Sequence, residues 1–299
     1  MILSYSWRLL CLSAAVFFLV NLAAGSAVAL VAPVAVRFAG RSAPSRAARF
    51  LLALRLLPPI LAVIVVLSVC VPSFLWLEPG ASAEHVGSPC LVLAALGAAV
   101  CIAAAVRSRR AAIFSRRVLR TQSPCLALAG LLRPRFIVSP AVRAVLTPDQ
   151  FAAALAHERA HWHSRDNLKR LLLLLSPGPL PFFHWSTHLD RAWSRFTEWA
   201  ADDRAVSNDP VRSLSLAAAL VHVARLQANA PAAPLATSLL GETPDLAARI
   251  DRLLHPVPAP ERQPSHPGLT AVLAGVFIAI LLQPSTLAAA HRILERLME

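Results

Sequence analysis

The sequence predicts a mainly α-helical membrane protein, with four transmembrane helices and one polar domain inserted between the third and the fourth. Of its 299 residues, 57% are hydrophobic and only 15% are charged, and the mean hydropathy is +0.59. This balance is typical of a multi-span membrane protein rather than of a soluble one. Four apolar stretches are long enough to cross the bilayer, which takes about 20 helical residues. A long segment of mixed polarity separates the last two.

The first stretch covers about residues 9–36. A cleaved signal peptide is the competing interpretation, but this run is longer than a signal core and only Arg8 precedes it as a basic residue. The second stretch, about 56–77, follows Arg55, whose long side chain can reach the membrane surface. The adjacent prolines at 58–59 predict a bend there.

The third stretch, about 90–106, is rich in Ala and Gly, which favours close helix packing. The fourth, about 269–289, follows a proline-rich linker. The boundaries therefore predict a three-span membrane region at 1–106, a polar domain at 107–267, and a last span with a short tail at 268–299. The run at 171–183 is too short to span and is expected in the domain core or against the bilayer.

The charges of the loops predict the orientation. Between the second and third stretches the loop contains Glu78 and Glu84 and no basic residue, whereas the segments after the first and third stretches are rich in arginine. These arginines are Arg37, Arg41, Arg46, Arg49, Arg107, Arg109, Arg110, Arg116, Arg117 and Arg120. The positive-inside rule then places the amino terminus outside and residues 107–267 in the cytoplasm of a bacterial-type inner membrane.

The formal net charge of +13 rests almost wholly on arginine, since Lys169 is the only lysine. Because the arginines cluster beside apolar runs, they indicate a lipid bilayer as the partner, and direct binding of nucleic acid is not expected. The five cysteines are scattered without a C-x-x-C pair, which predicts small buried hydrophobic residues and no thiolate metal site.

A helix carrying a metal-competent motif is predicted from about residue 148. Thr147 suits the N-cap, Pro148 the first turn, and Gln150 completes a capping box. His157 and His161 then lie one turn apart on the same face of this helix, and Glu158 directly follows His157. Two imidazoles so spaced can bind one Zn²⁺, and the glutamate becomes a candidate general base. The structural alternative is an amphipathic helix with a charged face and no metal site.

A third ligand is expected from a second helix at 187–206. Its Glu198 is the candidate ligand, and Asp202, one turn later, could orient either histidine by accepting a hydrogen bond from its second ring nitrogen. Asp166 follows His161 closely enough to lie near the same site. These residues together predict a site for one Zn²⁺ per chain.

His157, Glu158 and His161, followed by Glu198 and Asp202, resemble the gluzincin peptidases, and most closely the integral-membrane antirepressors of the BlaR/MecR type. The segment at 123–140 resembles their Ser-Pro…Gly-Leu…Arg-Pro-x-Ile-x-x-Pro pattern. Further matches are HSRDN at 163–167 and LAARIDRLL at 246–254. The residues that occupy the Arg-Pro pattern are Arg133, Pro134, Ile137 and Pro140.

This resemblance implies an α+β zincin-like metalloprotease domain, with His157, His161 and Glu198 as zinc ligands and Glu158 as catalytic acid and base. It implies a zinc endopeptidase that cleaves a cytoplasmic regulatory protein, a transcriptional repressor, by attack of zinc-activated water. The extended run at 135–139 could pair with a substrate strand. The full-length sensors carry a penicillin-binding domain after the fourth span, which this chain lacks. Direct β-lactam sensing is therefore not expected, and a separate sensor subunit is a possible partner.

Several alternatives stay open at this stage. The oxyanion donor is unassigned: His222 and Arg249 are candidates, although structural roles suit them better, and Tyr5 lies on the far side of the membrane. His163, His184 and His188 are expected at the surface or in packing roles. A membrane protease of the HtpX or prenyl-protein-processing type shares the motif. A non-enzymatic transporter or zinc scaffold is a second rival, but the four spans contain almost no ionisable residues.

Overall fold

The computed structural model describes most of the chain up to residue 255. The described residues are 2–77, 86–120, 126–130, 135–179, 186–227, 236–238, 245–255 and Gln283. The fourth predicted span, the acidic loop with Glu78 and Glu84, and most of the proline-rich linker lie outside the described residues, as do Arg133, Pro134 and His184.

Three helical stretches are long and apolar enough to cross a membrane, at Tyr5–Ala39, Pro44–Trp76 and Ser88–Arg117. They are formed by α1, α2 with α3, and α4. The bounds of these helices are Ile2–Ala39 for α1, Pro44–Val65 for α2, Val71–Leu77 for α3 and Ser88–Arg120 for α4, with a π-helical turn at Val66–Cys70 joining α2 to α3. The prediction of a mainly helical chain with apolar spans is confirmed for these three.

Each helix extends beyond its predicted apolar stretch. Helix α2 begins at Pro44, a residue type suited to the first turn, instead of near residue 56. The two prolines at 58–59 lie within α2, and the irregular turn follows at Val66–Cys70. Helix α4 passes through Val106 and continues to Arg120, so the predicted domain boundary falls inside a helix.

The remaining described elements form a small sheet with helices around it. They are β1 Leu126–Ala129, β2 Arg135–Val138, α5 Pro140–Val145, α6 Pro148–Ser164, α7 Asp166–Leu175, α8 Thr187–Val206, α9 Pro210–Gln227, β3 Ala236–Ser238 and α10 Leu246–Leu254. The three strands pair antiparallel in the order β2-β1-β3, which leaves β2 at an edge of the described sheet. The predicted extended run at 135–139 is therefore β2 and the residue after it.

Buried hydrophobic residues form three clusters. The distal core joins α1, the π turn, α3 and α4; the hairpin core joins α1, α2, α7 and α8; and the domain core joins β1, α5, α6, α8, α9 and α10. Representative members are Leu12, Phe74 and Cys90 in the first, Val28, Leu51, Leu189 and Phe196 in the second, and Val142, Ala154, Leu216 and Leu220 in the third. Helix α8 belongs to the hairpin core and to the domain core, so the residues it contributes to the candidate site depend on both.

The segment after α7 packs against the spanning helices. Asn21 of α1 is fully buried, and its Nδ2 donates to the carbonyl of Gly178 at 3.0 Å. Arg107 of α4 donates to the carbonyls of Leu174 and Ser176, at 3.0 Å each. The described part of the run at 171–183 is thus a short helix and a turn, held against α1 and α4.

Candidate metal centre

Helix α6 begins as the sequence predicts and carries the motif to the interior. The capping box is confirmed, since Thr147 Oγ1 accepts from Gln150 N at 3.3 Å and Gln150 Oε1 accepts from Thr147 N at 3.2 Å. The motif starts ten residues after the N-cap, at His157, and His157, Glu158 and His161 are all fully buried. The Nε2 atoms of the two histidines lie 3.1 Å apart, so the rings converge on one point.

The chain changes direction sharply after α6, and this turn brings the carboxylate of Asp166 next to His161. Arg165 adopts the left-handed conformation, with φ of 54°, and its amide hydrogen caps the end of α6. Helix α7 then starts with Asp166, whose Oδ2 lies 2.8 Å from His161 Nδ1. Its other oxygen accepts from Lys169 Nζ at 2.8 Å. A proton held on Nδ1 by this contact leaves the His161 Nε2 lone pair directed into the centre.

Helix α8 occupies the predicted range and supplies two buried carboxylates. Glu198 Oε2 lies 3.5 Å from His157 Nε2 and 3.6 Å from His161 Nε2. One turn later, Asp202 Oδ1 lies 2.8 Å from His157 Nδ1. Each histidine therefore has its own acid behind it, Asp202 for His157 and Asp166 for His161.

Two arginines support these carboxylates. Arg249 of α10, 1% exposed, donates to Asp202 through Nε at 2.8 Å and Nη2 at 2.7 Å, the bidentate geometry of strong guanidinium–carboxylate pairs. Its Nη1 lies 3.2 Å from Glu198 Oε2. Arg170 Nη2 donates to the other oxygen, Glu198 Oε1, at 3.3 Å. Sequence reasoning missed Arg170 and Lys169. Their positions, three and four residues after Asp166 on the same helix, could have indicated cations close to the site.

The electrostatics of the centre favour an additional cation. Four carboxylates are grouped with three permanent side-chain cations, so neutral histidines leave a net negative charge. The carboxylates are Glu158, Asp166, Glu198 and Asp202, and the cations are Lys169, Arg170 and Arg249. Burial opposes the charged form of His161, yet the charge of Glu198 and the hydrogen bond that Asp166 accepts from its ring raise the pKa of His161 to about 10.

The carboxyl groups show the reciprocal effect. Burial would raise the pKa of Glu198, but the charges of His161 and Arg249 hold it well below its usual range. Against the same opposition from burial, the charge of Arg249 and the contact with His157 lower the pKa of Asp202 to about 2. Both acids are thus ionised at neutral pH, as ligation and orientation of an imidazole require.

The donor atoms fit a tetrahedrally coordinated metal ion. Bonds of about 2.0–2.1 Å to zinc in tetrahedral geometry place ligand atoms about 3.3 Å apart. The three atoms, His157 Nε2, His161 Nε2 and Glu198 Oε2, are separated by 3.1, 3.5 and 3.6 Å. Glu198 Oε2 is buried and faces both histidine nitrogens and Arg249 Nη1. Two imidazoles with a carboxylate suit a first-row transition metal and do not single out one element.

Glu158 is not part of this ligand triad but lies beside it. It is fully buried, and its negative charge contributes to the raised pKa values of both His161 and Arg249. A buried carboxylate next to three converging ligand atoms is the arrangement expected of a group that moves a proton at the centre.

The remaining candidates lie elsewhere or act differently. His222 of α9 contacts Gln150 Oε1 at 3.2 Å, at the start of α6 and seven residues before His157. Arg249 donates through Nε and Nη2 to Asp202 and its Nη1 lies against Glu198, so it holds two carboxylates of the site in place. His163 is exposed and lies 2.7 Å from the carbonyl of Arg159, and His188 begins α8 away from Glu198.

Comparison of the chain with protein-family models, with curated proteins and with solved structures found no match. The likeness to gluzincin peptidases therefore rests on the motif residues themselves.

Proposed function

We propose that the protein is a membrane-embedded zinc endopeptidase that cleaves a cytoplasmic regulatory protein, a transcriptional repressor in the manner of the BlaR/MecR antirepressors. One observation carries the proposal: two imidazole nitrogens and one carboxylate oxygen converge within 3.6 Å of one another, with Glu158 buried beside them. A non-enzymatic metal scaffold has no need for that additional buried acid.

His157, His161 and Glu198 would hold the ion, and Asp202 and Asp166 would fix the two rings. Bound there, zinc supplies a Lewis acid that polarises a scissile carbonyl and makes a nearby water more acidic. Glu158 then accepts the proton of the attacking water and passes it to the nitrogen of the leaving amine. Arg249 keeps Asp202 ionised, so that the His157 ring holds its orientation throughout.

Strand β2 is the proposed docking edge for substrate. It lies at an edge of the described sheet, and five residues separate it from its partner β1. An extended substrate segment could add to this edge through backbone hydrogen bonds, with little demand on its sequence. The packing of the Phe136 ring edge-on against Trp162 of α6, at 6.1 Å, ties this edge to the metal helix.

We base the proposed sidedness on the hairpin of α1 and α2. Ala39 and Ala47 share a buried cluster with residues of α8; they flank the loop that contains Arg41, and Arg46 lies in the first turn of α2. The positive-inside rule puts that loop in the cytoplasm, so we place the metal centre there too. This same packing on the spanning helices favours a second candidate, a protease of the HtpX or prenyl-processing type that acts on membrane proteins.

The test uses the full-length chain purified in detergent. Metal content is measured, and the protein is incubated with the repressor encoded beside it or, in a second arm, with a membrane-protein substrate. Glu158→Gln should retain the metal and lose about 10²–10⁴-fold in cleavage rate. Asp149→Asn, an exposed acid in the first turn of the same helix, is the matched control and should cleave normally.

The outcomes separate the candidates. Cleavage of the repressor alone supports the antirepressor function, and cleavage of the membrane substrate alone supports the processing function. If Glu158→Gln cleaves as fast as wild type, the proposed chemistry is wrong. If wild type binds metal and cleaves neither substrate, the scaffold interpretation gains.

A further inference from the structure

We propose that a cavity between α2, α6, α7 and α8 is a binding site for a phosphate group, either on an anionic lipid or as free phosphate. The cavity measures about 370 Å³ and lies where the start of α2 meets the end of α6, the start of α7 and the second half of α8. Arg49 of α2, Lys169 of α7 and Arg204 of α8 all line it. Three elements far apart in sequence thus bring cations to one space.

The cavity has more positive than negative charge. Asp166 is the sole carboxylate among its described lining residues, against the three permanent cations. Both oxygens of that acid already have partners, since Oδ2 faces His161 Nδ1 and Oδ1 accepts from Lys169 Nζ, each at 2.8 Å. The lining therefore keeps an unbalanced positive charge, for which an anion is the natural counter-charge.

The neutral groups of the lining suit phosphate oxygens. Ser45, Ser164 and Thr197 line the cavity as neutral polar residues. The Ser164 hydroxyl already donates to the carbonyl of Ala160 and accepts from Arg204, so Ser45 and Thr197 are the hydroxyl residues considered for the ligand. Hydroxyls and guanidinium groups together are the usual donors to phosphate, and arginine offers a planar pair of N–H groups to two of its oxygens. A carboxylate ligand would leave more of these donors unused.

The position favours a lipid headgroup as the source. Arg49 lies in the arginine-rich end of the α1–α2 hairpin, and the next residue, Phe50, is 41% exposed. Its ring packs edge-on against Phe38 at 6.0 Å, which is itself 60% exposed. Exposed aromatic rings beside arginines at a helix end are typical of the membrane–water interface, where anionic lipid headgroups are found.

The same cavity adjoins the metal centre through one side chain. Asp166 separates the cavity from His161, so a bound phosphate would lie one residue away from a proposed metal ligand. The binding proposal does not depend on the peptidase activity, because its test measures only ligand binding.

The test compares lipid adducts on the full-length protein in detergent, by native mass spectrometry. The probes are phosphatidylglycerol and phosphatidylcholine, with inorganic phosphate as competitor. The double variant Arg49→Gln/Arg204→Gln removes two lining cations. The matched control, Arg41→Gln/Arg109→Gln, removes the same charge from two exposed arginines outside the cavity.

We expect phosphatidylglycerol to bind in preference to phosphatidylcholine, and to bind roughly tenfold to thirtyfold more weakly to the lining variant, because each basic residue near an anionic surface contributes about fivefold. The control should bind as wild type does. Competition by inorganic phosphate alone, without lipid preference, would identify free phosphate as the source. Arg49→Gln by itself is the milder variant if the double variant fails to fold.

Two results would overturn the proposal. Equal losses in the lining and control variants would show that lipid follows net charge and not this cavity. The absence of any preference for phosphatidylglycerol, together with no competition by phosphate, would show that the cavity takes no phosphate group.

Discussion

Helices α6 and α8 both supply residues of the candidate metal centre, but they are anchored differently in the molecule. Helix α6 packs through Ala153 and Ala154 into the domain core, among residues of β1, α5 and α9. The first half of α8 packs through Leu189 and Phe196 into the hairpin core, against α1 and α2. The two imidazoles thus lie on a helix of the domain core, whereas Glu198 lies on a helix that packs both on the spanning helices and, through Ala205, in the domain core.

This difference shows what determines the geometry of the centre. A shift of the α1–α2 hairpin relative to the domain would change the distance from Glu198 to the two imidazoles, while the imidazoles would keep their own spacing. The metal affinity should therefore depend on the position of the membrane helices as well as on the structure of the domain.

The largest effect is expected from removing a ligand on either side. His161→Ala breaks the α6 side and Glu198→Ala the α8 side, and each leaves only two protein ligands. Both should lower metal affinity by more than the roughly 10–100-fold typical of losing a partner that only orients a ligand. Metal content of the purified variants and competition with a chelator measure this. Retention of wild-type affinity by Glu198→Ala would remove α8 from the centre.

The next effect separates the two orienting acids. Asp166→Asn and Asp202→Asn should each lower metal affinity about 10–100-fold, since each loosens one ring. Only Asp202→Asn should also destabilise the fold strongly, by about 3–5 kcal/mol, because it leaves buried Arg249 without its bidentate partner. Thermal unfolding of the metal-free variants measures the difference. Equal loss of stability in both would contradict the assignment of Arg249 to Asp202.

A smaller effect is the dependence of metal affinity on pH. The pKa of His161 is raised to about 10 by Glu198 and Asp166 in spite of burial, so the metal-free centre holds a proton there at pH 7. A metal must displace that proton. Apparent affinity should therefore rise with pH, by up to about tenfold between pH 7 and pH 8, with release of protons on binding.

Titration calorimetry in two buffers of different ionisation enthalpy counts the released proton. Asp166→Asn removes one of the groups that raise the pKa of His161, so its affinity should stop rising at a lower pH than that of wild type. Binding without proton release at pH 7 would show that His161 is neutral in the metal-free centre.

The sequence predicted local features well because short-range chemistry decides them. The start of α6 follows from Thr147 and Gln150, and the range of α8 from its helical pattern, and both are confirmed. Hydropathy, in contrast, underestimated helix length. It measures suitability for lipid and not helicity, so α4 continues through Arg107 and its neighbours to Arg120, because arginine and alanine favour helix.

The partner of each acid within the site was beyond local reasoning. Asp202 and Asp166 were both candidates for orienting a histidine, but their assignment depends on the reversal at Arg165 and on how α8 crosses α6. The pairing of Arg249 with Asp202 brings together residues 47 positions apart. Such contacts are set by tertiary packing, for which a single sequence holds no direct signal.

The smallest effect is expected from loosening α8 at the hairpin without touching the centre. Arg55 of α2 is 4% exposed; its Nε donates to Asp190 Oδ1 of α8 at 3.1 Å, and its Nη1 to Ser176 Oγ at 2.8 Å. Asp190 is two turns before Glu198. Arg55→Gln should therefore lower metal affinity by about two- to fivefold, the size of a coupling carried through packed helices.

A matched perturbation of the distal core tells coupling from general loosening. A Cβ on Gly97 of α4 would lie 2.5 Å from the carbonyl oxygen of Ala14, so Gly97→Ala must push α4 and α1 apart. It should lower the melting temperature but leave metal affinity unchanged, because the atoms nearest to that Cβ belong to Ala14 and Phe18 of α1. If Gly97→Ala weakens metal binding as much as Arg55→Gln does, the centre responds to the stability of the whole bundle, and the distinct anchoring of α8 has no bearing on its affinity.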